Sequence, residues 1–246
     1  MVPFDSNLRE ALEGLYAAFA DYPAPARLKG SPHKDPAGML TLLRTAPLRM
    51  LSGDQIGPYA GSALLTVGGV ADYKHYLPRI IELGVQGSVH MGTDAPIIAE
   101  RLKRAGWRTW FEAEQVSIRS AFRAAWSWSV DQHPGFGATA EEWLCGIAAL
   151  GEPIEPLLRE WSARTSTEAL LQSAWLGMSA ARLTSSSDHD LAYWNYVSPA
   201  ARKVVSDWVT GHERLSAFLQ GLETAPEDDR WCIDQALEAA GFRERQ

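Results

Sequence analysis

Apolar residues recur along most of this chain at the three-to-four-residue spacing of a helix, not the two-residue spacing of a strand. Leu8, Leu12, Leu15, Tyr16 and Phe19 form one such stripe. Ile154, Leu157, Leu158 and Trp161 form a second, and Leu170, Leu171, Trp175 and Met178 a third. Strand patterns have little support; the best is Val85–Met91, short and flanked by Gly84 and Gly92. The spacing predicts an all-α chain, either a multi-helical bundle or a short α-solenoid of stacked helix pairs.

The punctuation between the stripes supports helices. Thr139 with Glu142, Thr165 with Glu168 and Thr224 with Glu227 have the spacing of a capping box. Ser198 before Pro199 reads as a cap followed by a proline whose missing N–H costs nothing at the first helical position. Two stretches, Asp94 to Trp107 and Asp229 to Phe242, have equal length and both end in Ala-Gly-aromatic, the signature of a left-handed helix stop. They are the only hint of an internal repeat. The prolines and glycine of Pro23, Pro25, Gly30 and Pro32 make the segment up to Asp35 the main loop.

Composition changes this picture in one respect. All ten tryptophans fall between Trp107 and Trp231. Residues 1–106 carry 11 basic and 10 acidic side chains, whereas residues 107–246 carry 12 and 20. The 246 residues suit one all-α domain, with a possible sub-division near residue 107 into a neutral half and an acidic, Trp-rich half. A net charge of −7 argues against nucleic acid as ligand and is compatible with a basic protein partner. No apolar run is long enough to span a bilayer, and the N-terminal segment has no leader pattern. With Cys145 and Cys232 far apart and outside any CxxC spacing, a reducing, cytoplasmic setting is expected.

One segment carries a resemblance. Pro47-Leu-Arg-Met-Leu-Ser52 is followed by Tyr59 and then by Asp72-Tyr-Lys-His-Tyr-Leu-Pro78-Arg79. Residues 47–83 resemble an uncharacterised bacterial protein family. There, a TWGxxxDFKHFLPRxLEL run follows a PLRxLSxxxLxxYAxxAL run. The family brings no established activity. Its members carry a cysteine cluster in the proline-bearing loop, where this chain has Gly30-Ser-Pro-His-Lys-Asp35, so no metal site is implied there. Read from the residues, Tyr73, Tyr76 and Leu77 share an inward helix face while Asp72, Lys74 and Arg79 can face water. His75 either donates to a carbonyl or to Asp72, or lines a possible cleft with Tyr73 and Arg79.

Catalytic signatures are sparse. Gly135-Phe-Gly137 follows a helix and not a strand, which removes the dinucleotide-binding geometry. No Walker lysine motif, HExxH or GxSxG is present. Both cysteines have apolar neighbours and read as buried, inert thiols. His189-Asp190 resembles the central dipeptide of all-α metal phosphohydrolases, in which two imidazoles and two carboxylates complete a divalent-metal sphere. His133 would be the first ligand and Asp207, Asp228, Asp229 or Asp234 the last. Ser185–Asp190, however, reads as a turn with an aspartate capping the next helix. No metal or other cofactor is therefore expected.

Trp126 and Trp128 lie on opposite sides of a helix, so one of them is expected to stay exposed, together with Trp194 or Trp231. Exposed tryptophan rimmed by carboxylate is the composition of a binding hot spot. The residues nominated are Trp126, Trp128 and Trp194 with Asp131, Glu141, Glu142, Asp188, Asp190, Glu227, Asp228 and Asp229. The leading expectation is a non-enzymatic protein-binding protein, most concretely an immunity protein that occludes the active site of a basic toxin domain. The alternative is the metal-dependent phosphohydrolase.

Overall fold

The computed structural model describes residues 3–88, 90–135, 139–184 and 191–242, and these form an all-α, multi-helical fold. Among them no strand forms; Gly30–Val67 and Ala63–Val67 are isolated bridges. Val85, the start of the best strand candidate, instead ends a helix, because its apolar side chain completes the buried helical face begun at Tyr73. No helix of the described residues is long and apolar enough to cross a membrane.

The chain forms two compact units, Met1–Ala125 and Trp126–Gln246. The first contains α1 (Ser6–Ala18), α2 (Pro36–Leu43), α3 (Gly53–Ser62), α4 (Val70–Val85) and α5 (Ala95–Arg104). The boundary falls within α6 (Glu112–Val130). The second unit contains α7 (Ala140–Ala149), α8 (Glu155–Ser162), α9 (Thr167–Met178), α10 (Ala180–Leu183), α11 (Pro199–Val209), α12 (His212–Thr224) and α13 (Arg230–Ala239).

In the first unit α4 is the hub and packs on α1, α3, α5 and the turn Leu48–Met50. Its N-terminus is fixed by the Asp72 carboxylate, which accepts the Gly69 N–H at 2.8 Å. Tyr73, Tyr76, Leu77, Ile80 and Ile81 form one buried face of α4, and Pro78, Leu83 and Val85 are buried beside it, which widens the enclosed surface. That enclosure offsets the cost of Pro78 inside the helix, which removes one backbone bond. Where the loop before α5 crosses α3, only glycine fits. Gly92 has φ +95°, and a Cβ there would lie 2.5 Å from the Ala60 backbone.

In the second unit α9 is central, packed on α7, α12 and α13. Gly177 of α9 lets α13 approach until an added Cβ would stand 3.0 Å from that of Ala236. The helix stop at Gly241 forms as expected, with φ +72° and the Phe242 N–H bonded to the Leu237 carbonyl at 2.9 Å. The matching stop at Gly106 has φ +69°.

Candidate functional site

Lys74, His75 and Arg79 of α4 each hold a different part of the first unit to that helix. Lys74 carries a buried ion pair with Glu114 of α6, its Nζ 2.9 and 2.8 Å from the two carboxylate oxygens. The same ammonium donates to the Tyr22 hydroxyl at 2.8 Å and lies 4.1 Å from the centre of the Trp110 ring. Tyr22 in turn donates to Glu114, and the Phe111 N–H completes that carboxylate. His75 donates from Nδ1 to the Tyr22 carbonyl at 2.7 Å, a tautomer fixed by the acceptor it faces. Arg79 donates to the Leu51 carbonyl and to Glu82, which also accepts the Tyr16 hydroxyl. Tyr73 is buried, and its hydroxyl has no hydrogen-bond partner among the described residues. Tyr73, His75 and Arg79 therefore do not converge on one cleft: His75 is bound to Tyr22, Arg79 to Leu51 and Glu82, and Tyr73 packs in the core. The segment works as a set of tethers.

In the second unit the nominated tryptophans lie inside. Trp126 is wholly buried, Trp128 and Trp194 nearly so, and the expectation that one of Trp126 and Trp128 stays exposed fails. The reason is that α6 is enclosed: from Ala121 to Val130 only Arg123 is exposed and Ser127 half-exposed. Opposite faces of one helix can both be buried when neighbours surround it. Trp126 meets Trp161 edge to face at 6.1 Å, and Trp161 lies 5.1 Å from Trp208.

Several nominated carboxylates are already engaged. Asp131 pairs with Arg164, which also binds Glu160 and the Ser127 carbonyl. Glu141 accepts the Trp194 indole N–H at 3.0 Å, so two residues nominated for a partner satisfy each other. Glu142 follows the Thr139 cap on α7 and is half-buried. Asp188, His189 and Asp190 lie outside the described residues.

Burial holds the Glu141 carboxyl above its ordinary range, against the lowering effect of the Trp194 bond and the Arg182 charge. A raised carboxyl means that the folded state binds the proton more tightly than the unfolded chain. Stability contributed at this site is therefore present in acid and lost as pH rises through the folded-state value. Glu141→Gln keeps an acceptor for Trp194 and removes the charge. The variant is expected to match or exceed wild-type stability at neutral pH, with the difference vanishing as pH falls toward the unfolded-state value of 4.5. Thermal melts of both proteins across that range check it; a variant less stable than wild type at neutral pH contradicts it.

The third acidic cluster has a different character. Glu227 and Asp228 are exposed in the 3-10 turn Glu227–Asp229 that leads into α13. Asp229 lies 2.9 Å from Nε2 of His133, whose Nδ1 accepts the Gly135 N–H at 3.1 Å. With Nδ1 an acceptor, Nε2 carries the proton and donates to Asp229. Two residues named as possible metal ligands thus meet, but with both ring nitrogens in use. Among the described residues no group of three or more His, Cys, Asp or Glu is placed to hold a metal ion. Beside this turn Trp231 stands about half exposed (51%), its ring edge to face with Trp175 at 6.0 Å. Only Trp231 among the tryptophans appears with the large exposed apolar side chains.

Both cysteines are buried in the second unit. Burial pushes the Cys145 thiol well above its ordinary range and that of Cys232 up to about 11. Neither is set up as a nucleophile.

Of the rings that the sequence left as candidates for exposure, Trp126, Trp128 and Trp194 are buried and Trp231 is exposed. The signal that singles out Trp231 is its place in the stripe of α13. Cys232, Ile233, Ala236 and Leu237 form the buried face, which leaves position 231 at its margin. Compared with known proteins, the chain matches no family model, no curated protein and no solved structure.

Proposed function

We propose that this chain works without catalysis, by binding a basic protein through the surface formed by Trp231 and the acidic turn Glu227–Asp229. One observation carries this reading: Trp231 stands exposed beside two exposed carboxylates, in the half of the sequence that bears the acidic excess. A large ring that keeps its shape on binding supplies the anchor, and the carboxylates steer a positively charged surface toward it. The concrete version is an immunity protein whose acidic face covers the active site of a basic toxin domain. Its carboxylates would stand where the phosphates of that domain's substrate normally bind.

The test is co-expression with the product of the adjacent reading frame, followed by co-purification. Wild-type protein is expected to carry the basic product through purification. Trp231→Ala is expected to weaken the complex by about 2 kcal/mol or more, as at a hot-spot ring. Its folding stability should change little, because half of the ring is already in water. Equal capture by wild type, by Trp231→Ala and by the charge-reversed pair Glu227→Lys/Asp228→Lys overturns the assignment of this surface.

A further inference from the structure

The second unit holds a cleft of about 310 Å³ between the turn that begins α9 and the flank of α12. Its polar lining includes Ser162, Arg164, Ser166, Thr167, Glu213 and Arg214. Arg214 is the unusual member. It is 7% exposed, and its one hydrogen bond among the described residues runs from Nη2 to the Ser162 hydroxyl at 3.2 Å. Its Nε is buried with no acceptor, and among the described residues no carboxylate pairs with it. Arg164 differs, since Asp131 and Glu160 already match its charge.

Burial lowers the Arg214 guanidinium to about 10, partly offset by the nearby Glu213 charge, so the group stays charged at neutral pH. Its plane lies 4.5 Å from the Trp208 ring, and Trp208 donates to the same Ser162 oxygen at 2.9 Å. Ser162 and Trp208 hold the group in place, and Arg214 is among the residues that line the cleft. A buried, charged fork without a counter-ion is costly to the folded chain, and an arriving anion would offset that cost.

The far wall is the N-terminus of α9, twelve residues long and capped by Ser166, which accepts the Ala169 N–H. The amides of Thr167 and Glu168 have no acceptor within the helix, and the helix dipole favours negative charge at this end. From a buried guanidinium without a counter-ion and a helix start that line one cleft, we infer that it binds a carboxylate group. A single negative charge is the better match, because the lining sets two arginines against Glu213, and Arg164 is spoken for. Inorganic phosphate, with a second charge near Glu213, suits the site less well.

The inference is independent of the Trp231 surface and is tested on the full chain, labelled with ¹⁵N. The indole N–H of Trp208, assigned by Trp208→Phe, reports on Ser162 and Arg214. The probes are propionate, a short N-acetylated glycine peptide with a free C-terminal carboxylate, the same peptide as its amide, and inorganic phosphate. Saturable shifts with the free carboxylates and none with the amide support the inference. A tighter peptide than propionate assigns the site to chain termini, and the reverse to small-molecule acids. Arg214→Met is expected to lose about tenfold or more of the affinity while melting no lower than wild type, since it removes a buried charge that no carboxylate pairs with among the described residues. No saturable shift with either carboxylate, equal binding of the amide, or a response to phosphate alone overturns the inference. So does Arg214→Met melting far below wild type, which would make Arg214 a packing element.

Discussion

Lys74→Met is expected to destabilise the first unit by about 3–5 kcal/mol, the usual consequence of stranding one member of a buried ion pair. Both side chains of the pair are under a tenth exposed. The substitution leaves the Glu114 carboxylate without its counter-charge, supported only by the Tyr22 hydroxyl and the Phe111 N–H. It also removes the cation from the Tyr22 and Trp110 faces. The double variant Lys74→Met/Glu114→Gln should recover much of the loss, because glutamine still offers an acceptor oxygen and carries no charge to bury. Urea denaturation of wild type, both single variants and the double variant closes the cycle. Simple additivity of the two losses would show that the pair is not the coupling that joins α4 to α6.

Trp161→Ala is expected to cost the second unit a similar amount, about 3–5 kcal/mol, for a different reason. The ring is wholly buried between Trp126 and Trp208, and its indole N–H donates to the Ala169 carbonyl at 2.9 Å. Truncation leaves a cavity, loses both ring contacts and removes the indole donor to the Ala169 carbonyl, a bond that ties α8 to the first turn of α9. Trp161→Phe keeps an aromatic body, so it should lose far less. Thermal melts followed by tryptophan fluorescence compare the two. Near-equal melting of Trp161→Ala and wild type would contradict the picture of a continuous aromatic core running from α6 through α8 to α11.

Helix stripes and stops were legible in the sequence because they depend on local chemistry. The stripe of α1 is buried residue for residue, and the caps at Thr139 and Ser198 form with the expected hydroxyl bonds. The failures are also local in origin. The cap of α9 is Ser166 and not Thr165, because two adjacent hydroxyl residues compete for the position one register apart. Thr224 closes α12 instead of opening the next helix, since Pro226 starts the following turn.

Burial was harder to read. A stripe says which face of a helix is apolar, but not how many neighbours surround it. Trp126 and Trp128 were taken apart by helical geometry and put back together by the enclosure of α6. For the same reason Asp72, Lys74 and Arg79, legible as a charged face of α4, became a cap, a buried ion pair and a carbonyl clamp. Their partners, Gly69, Glu114 and Leu51, include two that lie far from them in sequence and carry no spacing signal. Arg214 was invisible in the sequence, where an arginine in a helix reads as surface; only its burial without a carboxylate sets it apart.

The surface around Trp231 is the centre of the functional account, and hydrogen exchange tests it most directly. Amide exchange of the full chain is compared with and without the partner proposed above, the product of the adjacent reading frame. The account predicts slowed exchange in the segment from Pro226 through the first turn of α13, with Trp231 at its centre. Unchanged exchange there, whether with protection confined to other segments or with none at all, would contradict it.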